Sequence, residues 1–311
     1  MIAQDAFPTE PNPVAIITPQ PWFDLPDFEQ NLTCVNLTEK QKKWALKLRE
    51  DGYFVIDEPV MDEATIDEAV RVLKGQYGEE SRVQDGWIKA PAVKRIALSK
   101  IVVDTLRAIY QRRPVPFQTL NFEVGTEQLA HSDTLHFSSL PFGFMCGVWV
   151  ALEDADLNNG PLFYYRGSHK LPVFHMQDLG LQPIAKDYKK YEEIIGELLK
   201  KHNFVREQGT IKKGQAIVWA ANLFHGGSPV LDSSRTRHSQ VTHYYFDGAI
   251  YYTPMFSDPL KGQFMIRHLR DIGTMRFRPE LKLPQTPELL KTFMTELLKE
   301  QVVKRIRRVF H

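Results

Sequence analysis

Ten histidines against only two cysteines, Cys34 and Cys146, place any metal chemistry in this chain on imidazoles and carboxylates. His131-Ser132-Asp133 sets one of each two residues apart, and in an extended segment such residues point to the same side. A single His-x-Asp pair arises by chance roughly 0.6 times in a chain of this composition, so it carries weight only in company. The company is His225, which follows the apolar run 216–219 and precedes Gly226 and Gly227, glycines that let other backbone pack close. Further on, alternation over 237–246 puts Arg237, Ser239, Val241 and His243 on one face of a strand. An arginine inside a small barrel is costly unless it meets an anion, and Arg235, of the same parity, competes for that role. His-x-Asp, a distal His and then Arg is the order a 2-His-1-carboxylate iron(II) centre with a 2-oxo acid cosubstrate requires. Three ligands on one octahedral face leave three positions open, two for the acid and one for dioxygen.

Elements able to hold such residues can be read from the patterning. Thr38-Glu39-Lys40-Gln41 has the form of a capping box and Gly52 of a helix stop, bracketing a helix that leads into the strand 53–56. Ile66, Ala69, Val70 and Leu73 repeat at helical spacing, as do Leu98, Ile101, Val102, Leu106 and Ile109. After Pro114 the texture turns to short apolar runs at 117–123, 128–137, 144–152, 161–165, 215–219 and 237–246, which read as strands. The expected fold is mainly β with flanking helices, in one domain spanning 1–311. Its parts are an extended proline-rich arm (1–36), a helical support (37–113) and a β core (114–256). Residues 257–311 form a C-terminal extension. An insertion at 173–208, with a helix near 188–201, is placed to form a wall or lid. Thr286-Pro287-Glu288 starts a last helix, striped by Leu289, Leu290, Phe293, Leu297 and Leu298. Its basic end, Lys304 to Arg308, suits the helix dipole.

Composition narrows the classes further. Hydrophobic residues make up 43% of the 311 and charged residues 25%, enough apolar material for a sizeable core. A net charge of +1 gives no global field toward nucleic acid or anionic membrane. The start of the chain lacks the form of a secretory signal and no apolar run is long enough to span a bilayer, so a cytoplasmic protein is expected. Two cysteines fit a reducing compartment. The sequence carries no signal for oligomeric state.

The chain resembles the phytanoyl-CoA dioxygenase family of iron(II)/2-oxoglutarate oxygenases. The resemblance runs from Asp51-Gly52-Tyr53-Phe54-Val55-Ile56 to about Tyr245. Between them lie His131-Ser132-Asp133, Trp149-Val150-Ala151-Leu152-Glu153-Asp154, Asn159-Gly160-Pro161-Leu162, Gly167-Ser168-His169-Lys170, Lys213-Gly214-Gln215 and His225-Gly226. It departs at Arg166, where the family usually has Pro, and at Gly227, where a Ser is common. The resemblance implies a double-stranded β-helix core (jelly-roll, cupin-like), with His131, Asp133 and His225 as iron ligands and Arg237 on the distal carboxylate of 2-oxoglutarate. It also implies that Trp149 lines the cosubstrate pocket and that Ser239 assists Arg237. Dioxygen is the co-reactant and ascorbate a reductant. Because halogenating relatives replace the carboxylate ligand with a small residue, Asp133 argues for hydroxylation or a related oxidation; the expected reaction is hydroxylation of a small metabolite or lipid-like substrate, with release of succinate and carbon dioxide.

The remaining residues divide between site and scaffold. Gln128, Asn121 and Phe137 sit on expected strands near the triad as candidate substrate contacts. His136 has the wrong parity for a ligand, His169 reads as a structural turn residue, and His243 as a packed or hydrogen-bonded one. Tyr244, Tyr245, Phe246, Tyr251 and Tyr252 read as core and pocket wall. No basic cluster near the triad suggests a coenzyme A pocket. Two other classes compete: a non-catalytic binding protein on the same fold, which should have lost one of the four site residues, and a cupin-type metalloenzyme that does not need 2-oxoglutarate.

Overall fold

A computed structural model describes residues 20–78 and 81–278. The expected C-terminal helix and the first part of the arm lie outside the described residues. From Gln20 onward the arm is not extended as expected: Trp22–Asp24 make a 3-10 turn and Phe28–Cys34 form helix α1. Trp22, Phe23 and Phe28 are buried, and the Trp22 indole donates to the Ile109 carbonyl at 2.7 Å. Prolines 21 and 26 keep these pieces short, but burying an aromatic side chain is worth about 2 kcal/mol, so the aromatics fasten them to the body.

The capping box forms as read: Thr38 Oγ1 accepts from the Gln41 amide and Gln41 Oε1 from the Thr38 amide, opening α2 (Glu39–Glu50). Gly52, at φ +85°, turns the chain into β1 (Tyr53–Ile56). Then follow α3 (Glu63–Leu73), the edge strand β2 (Arg82–Gln84), α4 (Pro91–Ala97) and α5 (Lys100–Tyr110). The β region comprises β3 (Pro114–Phe122), β4 (Ser138–Leu140), β5 (Met145–Ala151) and β6 (Leu162–Tyr165). After α6 (Tyr188–Lys201) come β7 (Arg206–Gly209), β8 (Ala216–Ala220), β9 (His225–Gly227), β10 (Ser239–Phe246) and β11 (Ile250–Tyr252).

A six-stranded antiparallel sheet, β1-β8-β5-β10-β3-β2, lies against the three-stranded sheet β7-β6-β9, giving the expected jelly roll. Alternation splits the large sheet cleanly. Phe54, Val148, Val218 and Tyr244 point outward and join Leu48, Ile66, Ile96 and Leu106 of the helices in one buried cluster. Trp149, Ile217, Trp219 and Val241 point inward against Tyr164 and Leu223. The helix in the insertion packs Tyr191, Ile195 and Leu199 onto Ala130, Leu135, Phe163 and Phe224, so it is a fixed wall beside the segments that carry the histidines. Both cysteines are free, and among the described residues no helix is long and apolar enough to cross a membrane.

Candidate metal centre

The segment 128–137 is not the strand its composition suggested. His131 makes a single antiparallel bridge with His225, each amide donating to the other's carbonyl at 3.0 Å, and the chain then turns into a 3-10 helix at Asp133–Leu135. Ser132 between them is extended (φ −112°, ψ 134°), and that one residue suffices to send His131 and Asp133 to the same side. The Ser132 hydroxyl accepts from the Thr134 amide and so holds the turn.

Three ligand atoms converge as a result: one each from buried His131, Asp133 and His225, all within 4.8 Å of one another. Both imidazoles donate Nδ1–H to a backbone carbonyl two residues earlier, His131 to Leu129 at 3.0 Å and His225 to Leu223 at 2.9 Å. Each Nε2 lone pair is thereby left facing the centre, the tautomer a metal needs. Burial and the adjacent His225 push the His131 imidazole down to about 3, so it is neutral at physiological pH. Burial works against charge on Asp133, yet His243, His225, His131 and the Trp219 N–H outweigh it and hold its carboxyl below the usual range. Two imidazole nitrogens and one carboxylate oxygen suit a divalent transition metal.

The centre opens into a cavity of ≈ 270 Å³ whose wall includes Trp149, Arg237, Val241 and His243. Arg237 precedes β10, 4% exposed; its Nη1 donates to Ser239 Oγ at 2.8 Å and its Nη2 to the Val124 carbonyl at 3.2 Å, with the guanidinium over the Trp149 ring. Its Nε has no hydrogen-bond partner, and among the described residues no carboxylate pairs with it. Burial pushes the guanidinium down to about 10, which still leaves it cationic at neutral pH. Arg235, of the same parity, reaches the surface instead and grips Asp156 with both terminal nitrogens at 3.1 and 2.8 Å. Gln128 and Phe137 line the cavity. Asn121 does not: on β3 the inward residues are Gln118, Leu120 and Phe122, and Asn121 faces the helices, its amide donating to Gln240 Oε1 at 3.2 Å. The expectation placed it one residue out of phase.

A profile of the phytanoyl-CoA dioxygenase (PhyH) family matches residues 48–239. The chain belongs to the phytanoyl-CoA dioxygenase family. Phytanoyl-CoA dioxygenase domain-containing protein 1 of Danio rerio is 35% identical over 157 residues, which cover 49% of this chain and 52% of that protein. Its namesake in Mus musculus is 32% identical over 83 residues, 25% of this chain and 28% of the relative. The match with the Danio rerio protein thus spans about half that protein's length. The fold is shared with the non-heme alpha ketoglutarate dependent epimerase SnoN from nogalamycin biosynthesis (TM-score 0.53, 18% identity, covering 68% of this chain and 85% of SnoN). It is also shared with EctD from S. alaskensis, solved with 2-oxoglutarate and 5-hydroxyectoine (TM-score 0.54, 18% identity, covering 71% and 80%).

Both departures from the family pattern have a local reason or lie apart from the site. A Cβ at Gly227 would stand 2.6 Å from Thr126 Oγ1 and 2.7 Å from the Glu127 amide, so the loop before His131 leaves no room for the usual Ser. Arg166 is exposed and pairs with Glu207 away from the cavity.

Residues that the sequence analysis did not assign to the site complete it. Trp219 Nε1 donates to Asp133 Oδ2 at 2.8 Å. His243, read as a packed residue, donates from Nδ1 to Gln118 and brings Nε2 to 3.6 Å from Asp133 Oδ2. His136 lines the cavity between Phe137 and Tyr188 of α6. Arg82 and Gln84 line it from β2, a strand too short to announce itself. The inward parity of β8 carried the signal for Trp219, and the parity shared with Arg237 carried that for His243; no pattern in the sequence pointed to His136, Arg82 or Gln84.

Proposed function

We propose that this protein is an iron(II)- and 2-oxoglutarate-dependent dioxygenase that hydroxylates a C–H bond of a small metabolite, releasing succinate and carbon dioxide. The observation that carries the reading is Arg237. A buried guanidinium with no carboxylate partner and an idle Nε costs several kcal/mol unless an anion meets it, and it shares a cavity with three converging ligand atoms. A dicarboxylate with a 2-oxo group fits both ends of that arrangement.

In this reading His131, Asp133 and His225 hold iron(II), which when bound supplies the reaction of dioxygen with 2-oxoglutarate. The chain's own residues do the rest. Arg237, braced by Ser239 and laid over Trp149, anchors the distal carboxylate. The apolar wall of Trp149, Leu120, Phe122 and Val241 excludes water from the anchored acid. Substrate enters beside Gln84, Gln118, Gln128, His136 and Phe137. A cavity of ≈ 270 Å³ is at the small end for ligand sites and must also take the cosubstrate, so only the substrate's reacting end fits inside. Carboxamides and imidazole around that end favour a polar group over an acyl chain. Two free thiols are in keeping with a reducing, cytoplasmic compartment.

The test is turnover without substrate. Purified protein given iron(II), ascorbate, 2-oxoglutarate and oxygen is expected to form succinate slowly, above a His131→Ala control. Added metabolite fractions should accelerate it and yield products heavier by one oxygen. Absence of succinate across the whole panel would favour a binding protein, and turnover of a metabolite without 2-oxoglutarate a cupin-type metalloenzyme.

A further inference from the structure

The two oxygens of Asp133 stand in different surroundings. Oδ1 lies 4.0 Å from His225 Nε2 and faces the point where the ligand atoms converge. Oδ2 is turned toward β8, where the buried Trp219 indole donates to it at 2.8 Å, with His243 Nε2 at 3.6 Å. One oxygen is free for a metal and the other is engaged by protein.

The indole's position is itself determined. On β8, Trp219 pairs in register with Gly147 of β5. A Cβ at residue 147 would stand 2.3 Å from indole Cε2 and Cζ2 and 2.7 Å from Nε1, so any side chain there would drive the ring off Asp133. From the other side the His225 ring packs at 4.8 Å, and Trp219 is 1% exposed. Glycine inside a central strand ordinarily weakens it, and a close approach is the usual reason it is found there.

Resting on the iron(II) reading above, we propose that Trp219, seated on Gly147, is a positioning residue that holds Asp133 as a one-oxygen ligand and keeps Oδ2 off the metal. A carboxylate free to rotate can bind through both oxygens and occupy one of the three positions that cosubstrate and dioxygen need. The Trp219 N–H removes that freedom, and outer contacts of this kind typically change metal affinity 10- to 100-fold.

The experiment is a cobalt(II) titration of the metal-free full-length protein, followed by calorimetry and visible absorption, with thermal melts to confirm folding. Trp219→Phe keeps an aromatic ring and deletes the donor; Gly147→Ala keeps the donor and displaces it. Both are expected to bind cobalt(II) about 10-fold or more weakly and to share an altered d–d spectrum that wild type lacks. Wild-type affinity and spectrum in Trp219→Phe would overturn the proposal. Should both variants fail to fold, wild-type protein with ¹⁵N-labelled indoles decides: one indole N–H, protected from exchange, should shift in Asp133→Asn, and five unmoved indole signals would overturn it. Wild type that binds neither cobalt(II) nor iron(II) would instead refute the metal centre, a failure distinct from that of the positioning role.

Discussion

The two faces of the large sheet are built from the same strands and both bury polar side chains, yet they do different work. On the outer face Gln240 donates to the Val93 carbonyl at 3.1 Å and to Thr242 Oγ1 at 3.2 Å, and Tyr244 donates to the Ala97 carbonyl at 2.8 Å, amid an apolar cluster shared with helices α1 to α5. Against the inner face, His131 and His225 of the facing segments line a cavity together with Trp149, Trp219, Val241 and His243 of the sheet and Arg237, whose Nε has no hydrogen-bond partner among the described residues. Burial alone does not separate scaffold from site. The direction in which the bonding capacity points does.

If the division is real, variants on the two faces should fail differently. His225→Ala is expected to lose at least 100-fold in iron affinity while the metal-free protein melts near the wild-type temperature, read by metal analysis and calorimetry. Full iron occupancy in that variant would break the comparison outright. On the outer face, Leu106→Ala should cost about 2–5 kcal/mol in denaturant unfolding, because a fully buried leucine leaves a cavity, with no change in 2-oxoglutarate requirement.

His169 tests the scaffold by pH. Its Nε2–H donates to the Arg49 carbonyl while Nδ1 is buried without a partner, and burial pushes the imidazole down to about 4. The unfolded chain takes up a proton below its ordinary value of 6.5, the folded one only near 4. Stability should therefore be fully present above pH 6.5 and fall as pH drops through that window, by up to about 3 kcal/mol from this residue. His169→Asn should flatten the slope between those limits in urea unfolding, and an unchanged slope would place the proton elsewhere.

Smaller in effect, and sharper, is the pair of arginines. Arg237→Ala should raise the 2-oxoglutarate needed for half-maximal rate roughly 10- to 100-fold, the worth of a charge-assisted contact of about 1.5–3 kcal/mol, with iron content unchanged. Arg235→Ala breaks only a surface pair and should shift stability by less than about 1 kcal/mol. A larger cosubstrate shift in Arg235→Ala would move the anchor.

Sequence patterning reached helices α2, α3, α5 and α6, most of the main strands and the four residues of the candidate site, since capping, periodicity and a His-x-Asp pair are local signals; it missed α1 and α4. It did not reach phase where strands are irregular. Arg235 and Arg237 have one parity, and only the start of β10 at Ser239, with Asp156 nearby, sends one outward and the other in. Asn121 lies opposite Gln240 on the outer parity of β3, and alternation along one strand does not say which of its two faces is turned inward. Trp219 is not legible as a site residue from its own segment, because its partners, Gly147 and Asp133, come from distant ones.

The bridge between His131 and His225 bears on how the protein comes into being. The bond from Trp219 to Asp133 spans 86 residues, and the two histidines, likewise distant in sequence, meet through a backbone bridge and their packed rings. Contacts of such sequence separation form slowly, because the entropy of closing the intervening loop must be overcome before any contact rewards it. In the iron(II) reading proposed above, no part of the nascent chain can therefore hold the metal tightly until β9 has found the segment before Asp133. Acquisition of the metal would then be a late event in maturation, and the time course of metal uptake during refolding a clock for closure of the barrel.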